Sequence, residues 1–161
     1  MGCASSGVIQ HAGPVATSTP VSIDFALVET SSALGDLETE KHLLNALIVS
    51  DLRGHNIFEE VVGDPAAAGA GSGVKIKVDI KEIKKISHSE RQWAGALAGR
   101  ARIVVEATVS DLSSGKLIET FAAEGESSGG SNLAGTTDEA VQRAAEQVVA
   151  QVIKISSQTR P

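Results

Sequence analysis

The feature that most constrains the fold is a strict alternation of apolar and polar residues between positions 74 and 81. Val74, Ile76, Val78 and Ile80 are separated by lysines and an aspartate. Successive side chains of a β-strand point to opposite faces, so this spacing predicts a strand with one buried face and one charged, exposed face. A bulge or strand end is expected near Glu82, because Ile83 breaks the alternation.

Other segments supply four more strands and two amphipathic helices. The strands are predicted at 21–28, 58–62, 102–110 and 117–124, and the helices at 37–54 and 137–155. The order β-α-β-β-β-β-α predicts an α+β two-layer sandwich, with two helices on one face of a mixed, mostly antiparallel sheet. We expect the first β-α-β unit to be a parallel crossover and the later strands to form an antiparallel meander.

The helix ends have recognisable signals. Asp36 is expected to be the N-cap of the first helix and Gly54 its C-terminal stop. Thr136 and Glu139 fit the capping box S/T-x-x-E at the start of the second helix.

Composition narrows the choice of core and of partner. Only 2% of the 161 residues are aromatic, so the core must consist of Val, Ile, Leu and Ala. The formal net charge of −6 argues against a general nucleic-acid binder. We find no cofactor motif and expect no cofactor.

The first residues differ in character from the rest. Residues 1–19 contain no Asp, Glu, Lys or Arg, and we predict a flexible tether there, followed by a single α+β domain at 20–157. Cys3 is the only cysteine, and it suits two kinds of lipid attachment. Gly2-Cys3 matches the end of a bacterial lipobox, L-x-G-C, whereas residues 1–6 also match the myristoylation pattern M-G-x-x-x-[ST] beside a cysteine that can be palmitoylated. A start of the sequence without functional meaning is the third interpretation.

The predicted topology places the longest glycine-rich loops together. The tether, the turn at 53–56 and the loops 88–100 and 125–135 are expected at one end of the sheet, and the loop 63–73 and the hairpin at 112–115 at the other. Arg91, Trp93 and Arg100 lie in the loop 88–100. Because Trp and Arg are frequent anchors of protein interfaces, these three residues are our candidate partner-binding site, with Trp93 as cover for the sheet edge or a helix end as the alternative.

An enzymatic interpretation has weaker support. His55, His88 and Glu90 are expected to approach one another at the same loop end, which would suit a small hydrolase or a metal-assisted enzyme. No motif brings carboxylates, hydroxyls and histidines together, so we predict no catalytic residues and no metal site.

A longer pattern in the second half resembles a family of uncharacterised bacterial lipoprotein domains of unknown function. It covers roughly residues 74–155 and consists of a glycine-rich loop before a valine strand (Gly95, Gly99 and Arg100), a D-x-x-[ST]-G-K turn (Asp111, Ser114, Gly115 and Lys116), and a strand ending in G-x-x-x-G-G (Gly125, Gly129 and Gly130).

The resemblance favours the lipobox interpretation of Cys3. It implies a protein anchored by that lipid to the periplasmic side of the bacterial outer membrane, since Ala4 after the cysteine is typical of outer-membrane sorting. The expected function is that of a non-enzymatic envelope lipoprotein acting as a binding or accessory module on a protein or an envelope polymer. A dually acylated adaptor on the cytoplasmic face is the other non-enzymatic alternative.

Overall fold

A computed structural model describes residues 7–9, 24–69, 71–87, 89, 94, 99–128 and 136–158. Its strands are β1 Val8–Ile9, β2 Phe25–Ser32, β3 Glu60–Val62, β4 Val74–Lys84, β5 Arg102–Asp111 and β6 Leu117–Glu126. Helix α1 spans Glu38–His55 and helix α2 spans Thr137–Gln158, and a 3₁₀ turn covers Pro65–Ala67.

The strands form one sheet in the order β1-β6-β5-β4-β2-β3. β2 is parallel to β3 and to β4, whereas β4, β5 and β6 form an antiparallel meander. Both helices pack on one face and share a single core with it. The predicted α+β sandwich is therefore confirmed, and from β2 onward the order β-α-β-β-β-β-α is the predicted one.

The core is aliphatic, as the composition requires. Val74, Ile76, Val78 and Ile80 are at most 1% exposed and face the helices. The alternating lysines and Asp79 lie on the opposite face, where β4 has its register shift between Ile80 and Glu82, as predicted. A second, smaller apolar cluster on that outer face contains Phe25, Leu27 and Val62.

Helix α2 approaches β6 so closely that only glycine fits at position 125. A Cβ atom built on Gly125 would overlap the Ala140 carbonyl oxygen and the Ala144 nitrogen. Backbone atoms of a packed helix cannot move aside at low cost, so the absence of a side chain on Gly125 sets the distance between helix and sheet.

The helix ends correct the predicted caps. Leu37, not Asp36, occupies the N-cap position of α1, and Asn56, not Gly54, adopts the left-handed conformation (φ 52°) that ends it. Asparagine tolerates that conformation better than other side chains do. Glu139 accepts hydrogen bonds from Ser128 in the preceding connection.

The predicted arrangement of the sheet ends is wrong in part. It assumed that β4 returns antiparallel to β3, but β4 pairs with β2 on the other side and runs in the same direction as β3. The turn at 53–56 and the start of β2 therefore lie at the end that carries the 112–116 hairpin. We call this the hairpin end. The opposite end, where β4 and β6 finish and β5 begins, carries the connections 85–101 and 127–136, and we call it the loop end.

Part of the predicted tether is ordered against the sheet. Val8 pairs with Ala123 and Ile9 with Ala122, so β1 forms an antiparallel edge strand beside β6. Cys3 and the remainder of the segment 1–19 lie outside the described residues, apart from Gly7, and the tether stays a prediction there.

Candidate functional site

The loop end is where the sequence places its candidate binding residues. Arg91 and Trp93 lie outside the described residues, as do His88 and Glu90 of the enzymatic alternative. Arg100 is described: its side chain is 42% exposed, and Nη1 lies 3.1 Å from Glu126 Oε1. Arg100 thus presents a guanidinium at the surface while one carboxylate of β6 holds its direction.

The base of the 85–101 connection is fixed to helix α2 by one hydroxyl. Thr137 Oγ1 accepts a hydrogen bond from Ile86 N at 2.9 Å and donates one to Ile86 O at 3.2 Å. Ile86 is itself buried in the core. Ile86, two residues beyond the end of β4, is therefore bound to the first turn of α2, although 51 positions separate Ile86 from Thr137.

The other side of the same connection is bound to the end of β6. Ala101 N donates to Ser127 Oγ, and Ser127 N donates to Ala101 O, both at 2.9 Å. Both residues are completely buried. This pair extends the β5–β6 ladder by one step beyond the strands and satisfies polar groups that would otherwise be costly to bury.

A carboxylate then holds the 127–136 connection. Glu139 of α2 accepts from Ser128 N at 3.1 Å and from Ser128 Oγ at 3.0 Å, and Arg143 Nη2 lies 2.6 Å from Glu139 Oε1. We call the set Ile86, Ala101, Ser127, Ser128, Thr137 and Glu139 the loop-end clasp. It fixes the bases of both connections relative to the sheet and to α2.

Beside the clasp, the outer sheet face carries a charged cluster. Arg102 makes a two-point contact with Glu124, at 2.6 Å and 3.1 Å, and a third bond to Glu82 at 2.8 Å. The hydrogen bonds from Arg102 lower the pKa of the Glu124 carboxyl below its ordinary value. The cluster is therefore charged at neutral pH, and it stiffens the strand ends that lead into the connections.

Of the three residues of the enzymatic alternative, only His55 lies among the described residues. The His55 side chain is 52% exposed at the end of α1, where Nε2 lies 3.6 Å from Asp51 Oδ1, and this places it at the hairpin end rather than the loop end. Nowhere in the described ranges do three His, Cys, Asp or Glu side chains group closely enough to hold a metal ion. The expected approach of His55 to the β4–β5 connection is wrong, because it rested on the direction predicted for β4.

Sequence reasoning missed the clasp and β1. Thr137 stands next to the predicted capping residue Thr136, but its partner Ile86 is far away in sequence and no local pattern links them. Val8 and Ile9 did carry a signal, because they form the only pair of adjacent β-branched apolar residues in the first nineteen.

Comparison of the coordinates with solved structures identifies the architecture. A dodecamer of PelC from Paraburkholderia phytofirmans superposes with a TM-score of 0.55 at 14% identity, covering 98% of this chain and all of that one. A variant of PelC gives 0.56 at 16% identity, covering 90% of this chain and 95% of that one. The chain has the PelC fold.

A second neighbour has the same fold. Protein XCC0632 from Xanthomonas campestris, assigned to the family DUF330, superposes with a TM-score of 0.57 at 12% identity and covers 94% of this chain and 95% of its own. The sequence itself matches no family model and no curated protein. At these identities the likeness to PelC and to XCC0632 is one of fold, and it agrees at that level with the predicted resemblance to uncharacterised bacterial domains.

Proposed function

We propose that the chain is a non-enzymatic lipoprotein of the bacterial cell envelope. In this proposal a lipid on Cys3 anchors it to the periplasmic side of the outer membrane, and the domain acts as a binding or accessory module. Its loop end engages a protein or an envelope polymer, with Arg91, Trp93 and Arg100 as contact residues.

The observation that carries the binding role is the loop-end clasp. Binding residues are commonly found on loops that a rigid scaffold positions. Here six residues of α2 and of the two connections use side-chain and backbone hydrogen bonds to fix both connections at their bases. A chain that only had to close the sheet would need a short turn, such as the one at the hairpin end.

The anchoring role is supported by the sequence. Gly2-Cys3 followed by Ala4 fits the lipobox.

Within the described ranges, neither helix is long and apolar enough to cross a bilayer. The neighbours PelC and XCC0632 share the fold over nine-tenths or more of the chain and carry no enzyme name.

A second copy of the chain is included among the proposed partners. PelC is a dodecamer in its solved structure. In this chain β3 pairs only with Phe25–Leu27 of β2, so none of the described strands pairs with the outer edge of Val28–Ser32, where Asn45 Nδ2 donates to Val28 O. Exposed strand edges are ready sites of pairing between chains. Size-exclusion chromatography with light scattering of the lipidated protein in detergent would measure the number of copies.

The anchor is tested by expressing the gene with its natural upstream region in the organism that carries it. We expect mass spectrometry of the membrane fraction to find the chain starting at a diacylglyceryl Cys3, and Cys3→Ser to release the protein from the membrane. Gly2→Ala is the matched control. It should leave a lipobox functional, because signal cleavage sites accept small residues, but it would abolish N-myristoylation. Loss of membrane attachment in Gly2→Ala would support the cytoplasmic adaptor instead.

The binding end is tested with a photoreactive amino acid in living cells. The probe is placed at Ser89 in the β4–β5 connection or, as a control, at Ser113 in the hairpin; both residues are exposed. We expect a specific cross-linked product from position 89 and none from position 113. Products from position 113 alone would overturn the assignment of the loop end.

A further inference from the structure

The pairing of β1 with β6 determines which end of the domain faces the membrane. β1 is antiparallel to β6, with Val8 opposite Ala123 and Ile9 opposite Ala122. β6 runs from the hairpin end to the loop end, so β1 runs the other way. The chain that precedes Val8 therefore leaves the sheet toward the loop end.

The distance from this exit to the lipid is short. Five residue steps separate Val8 from Cys3, and a fully extended chain of that length spans about 17 Å. The three steps of β6 from Ala123 to Glu126 already take about 10 Å of that span. An anchor on Cys3 can therefore extend only about 7 Å past the end of β6 if the domain stands upright.

The hairpin end is out of reach of such an anchor. β6 has ten residues, which corresponds to about 33 Å along the strand. If the tether were free up to the start of β2, as a wholly flexible segment 1–19 implies, it would leave from the hairpin end and could span about 70 Å between Cys3 and Asp24. Because β1 pairs with β6, the free segment that carries Cys3 is short and leaves from the loop end. Without β1 it would be long and would leave from the hairpin end.

We infer that the domain stands on the bilayer with its loop end against the lipid headgroups and its hairpin end directed away from the membrane. The inference rests on the proposed lipid anchor at Cys3, and it deepens that proposal. A partner of the loop end must then lie in or at the same membrane surface, because about 7 Å of clearance does not admit a folded protein between domain and lipid. The hairpin end and the outer sheet face remain open to components further from the membrane.

The experiment separates this orientation from the question of natural lipidation. Cys3 is the only cysteine, so the purified full chain can be coupled there to a maleimide lipid and inserted into phosphatidylcholine vesicles that contain dansyl-labelled lipid. Energy transfer from tryptophan to dansyl reports the height of one residue. In a Trp93→Phe background, Leu34→Trp marks the loop end and Leu117→Trp the hairpin end; these two leucines are 39% and 47% exposed.

We expect transfer from Leu34→Trp to be at least about threefold stronger than from Leu117→Trp, given the steep distance dependence and a height difference of about 30 Å. Replacing Val8 and Ile9 by proline, which removes two backbone donors, should abolish the difference. Equal transfer from both positions before that replacement, or stronger transfer from Leu117→Trp, would overturn the orientation. Neither result bears on natural lipidation, which the mass spectrometry of Cys3 decides separately.

Discussion

At the hairpin end, the turn between β5 and β6 is held by bonds between close neighbours. Asp111 Oδ1 accepts from Ser114 N and from Ser113 Oγ, both at 2.7 Å, and Gly115 takes a left-handed φ of 68°. At the loop end, the bonds of the clasp connect residues 11, 26 and 51 positions apart. Apart from one bond from Leu112 N to Gly73 O, the hairpin turn therefore forms from local sequence, whereas the clasp exists only when β4, β5, β6 and α2 are all in place.

This difference predicts how each end responds to the same mutation. The clearest case is a glycine-to-alanine change at each end. Gly125→Ala places a methyl group on backbone atoms of α2, and we expect a loss of about 3 kcal/mol or more in unfolding free energy. Gly115→Ala meets no atom within 4 Å and bears only the cost of its left-handed conformation, about 1 kcal/mol.

Urea denaturation of the two glycine variants provides the test. Gly35→Ala is the control for the methyl group itself, since its Cβ also meets nothing within 4 Å and its φ is not positive. A larger loss for Gly115→Ala than for Gly125→Ala would show that α2 does not press on β6 as described.

The clasp hydroxyl is the next most sensitive position. Thr137→Val keeps the shape of the side chain but removes both bonds to Ile86, leaving a buried backbone N–H without its partner. We expect a loss of about 1–3 kcal/mol. At the hairpin end, Ser114→Ala removes the exposed bond from Ser114 Oγ to Asp111 and the bond that Ser114 Oγ accepts from Lys116 N, and it should cost about 0.5 kcal/mol or less.

The readout for Thr137→Val is a urea midpoint together with the exchange rate of the Ile86 amide. Thr137→Ser restores the hydroxyl and should recover most of the loss. If Thr137→Val and Ser114→Ala have equal midpoints, the clasp does not stabilise the loop end.

We expect ion pairs on the sheet surface to contribute less to the unfolding free energy than these packed contacts do. Glu124→Gln weakens the two-point contact with Arg102, whose side chain is 39% exposed, so solvent screening keeps the expected loss below about 1 kcal/mol. Glu29→Gln, which disturbs the single contact to Lys75 at 2.8 Å, should cost less. Repeating the denaturation in about 1 M salt should shrink both losses. A Glu124→Gln loss unchanged by salt would contradict an ionic contribution.

The smallest expected effect is the loss of stability of the hairpin turn at low pH. Hydrogen bonds from Ser114 and Ser113 lower the pKa of Asp111 from 3.8 to about 2. A carboxyl whose pKa is lower in the folded state stabilises the fold above its unfolded pKa and loses that contribution as pH falls through the folded value. The hairpin turn should therefore loosen between about pH 4 and pH 2, whereas the Thr137–Ile86 bonds should not respond. An NMR titration of the Asp111 carboxyl carbon that gives an ordinary pKa would contradict this.

The contrast between local and distant contacts also explains which parts of the fold the sequence predicted. The hairpin at Gly115 and the strand at 74–81 follow from turn chemistry and from period-two alternation, and both were predicted. The direction of β4 was not, because the choice between pairing with β3 and with β2 depends on contacts distant in sequence. That single error moved the turn at 53–56 and His55 to the wrong end.

For the candidate site, the position of one residue was predicted, but the hydrogen bonds around it were not. Arg100 lies at the loop end as expected, because connectivity alone places the β4–β5 connection there once β4 is antiparallel to β5. The clasp could not be predicted, since Thr137, Ser127 and Glu139 are ordinary helix-start and loop residues whose partners are known only from the fold.

Amide hydrogen exchange on the full chain tests most directly whether the two ends differ in this way. The amides of Ile86, Ala101, Ser127 and Ser128 donate the backbone hydrogen bonds of the clasp. Those of Ser114 and Lys116 lie in the hairpin turn. We predict that the clasp amides exchange at least about 100-fold more slowly than the turn amides, because they open only with the packing of α2 on the sheet. Clasp amides that exchange as fast as those of the turn would contradict a loop end fixed by the whole fold.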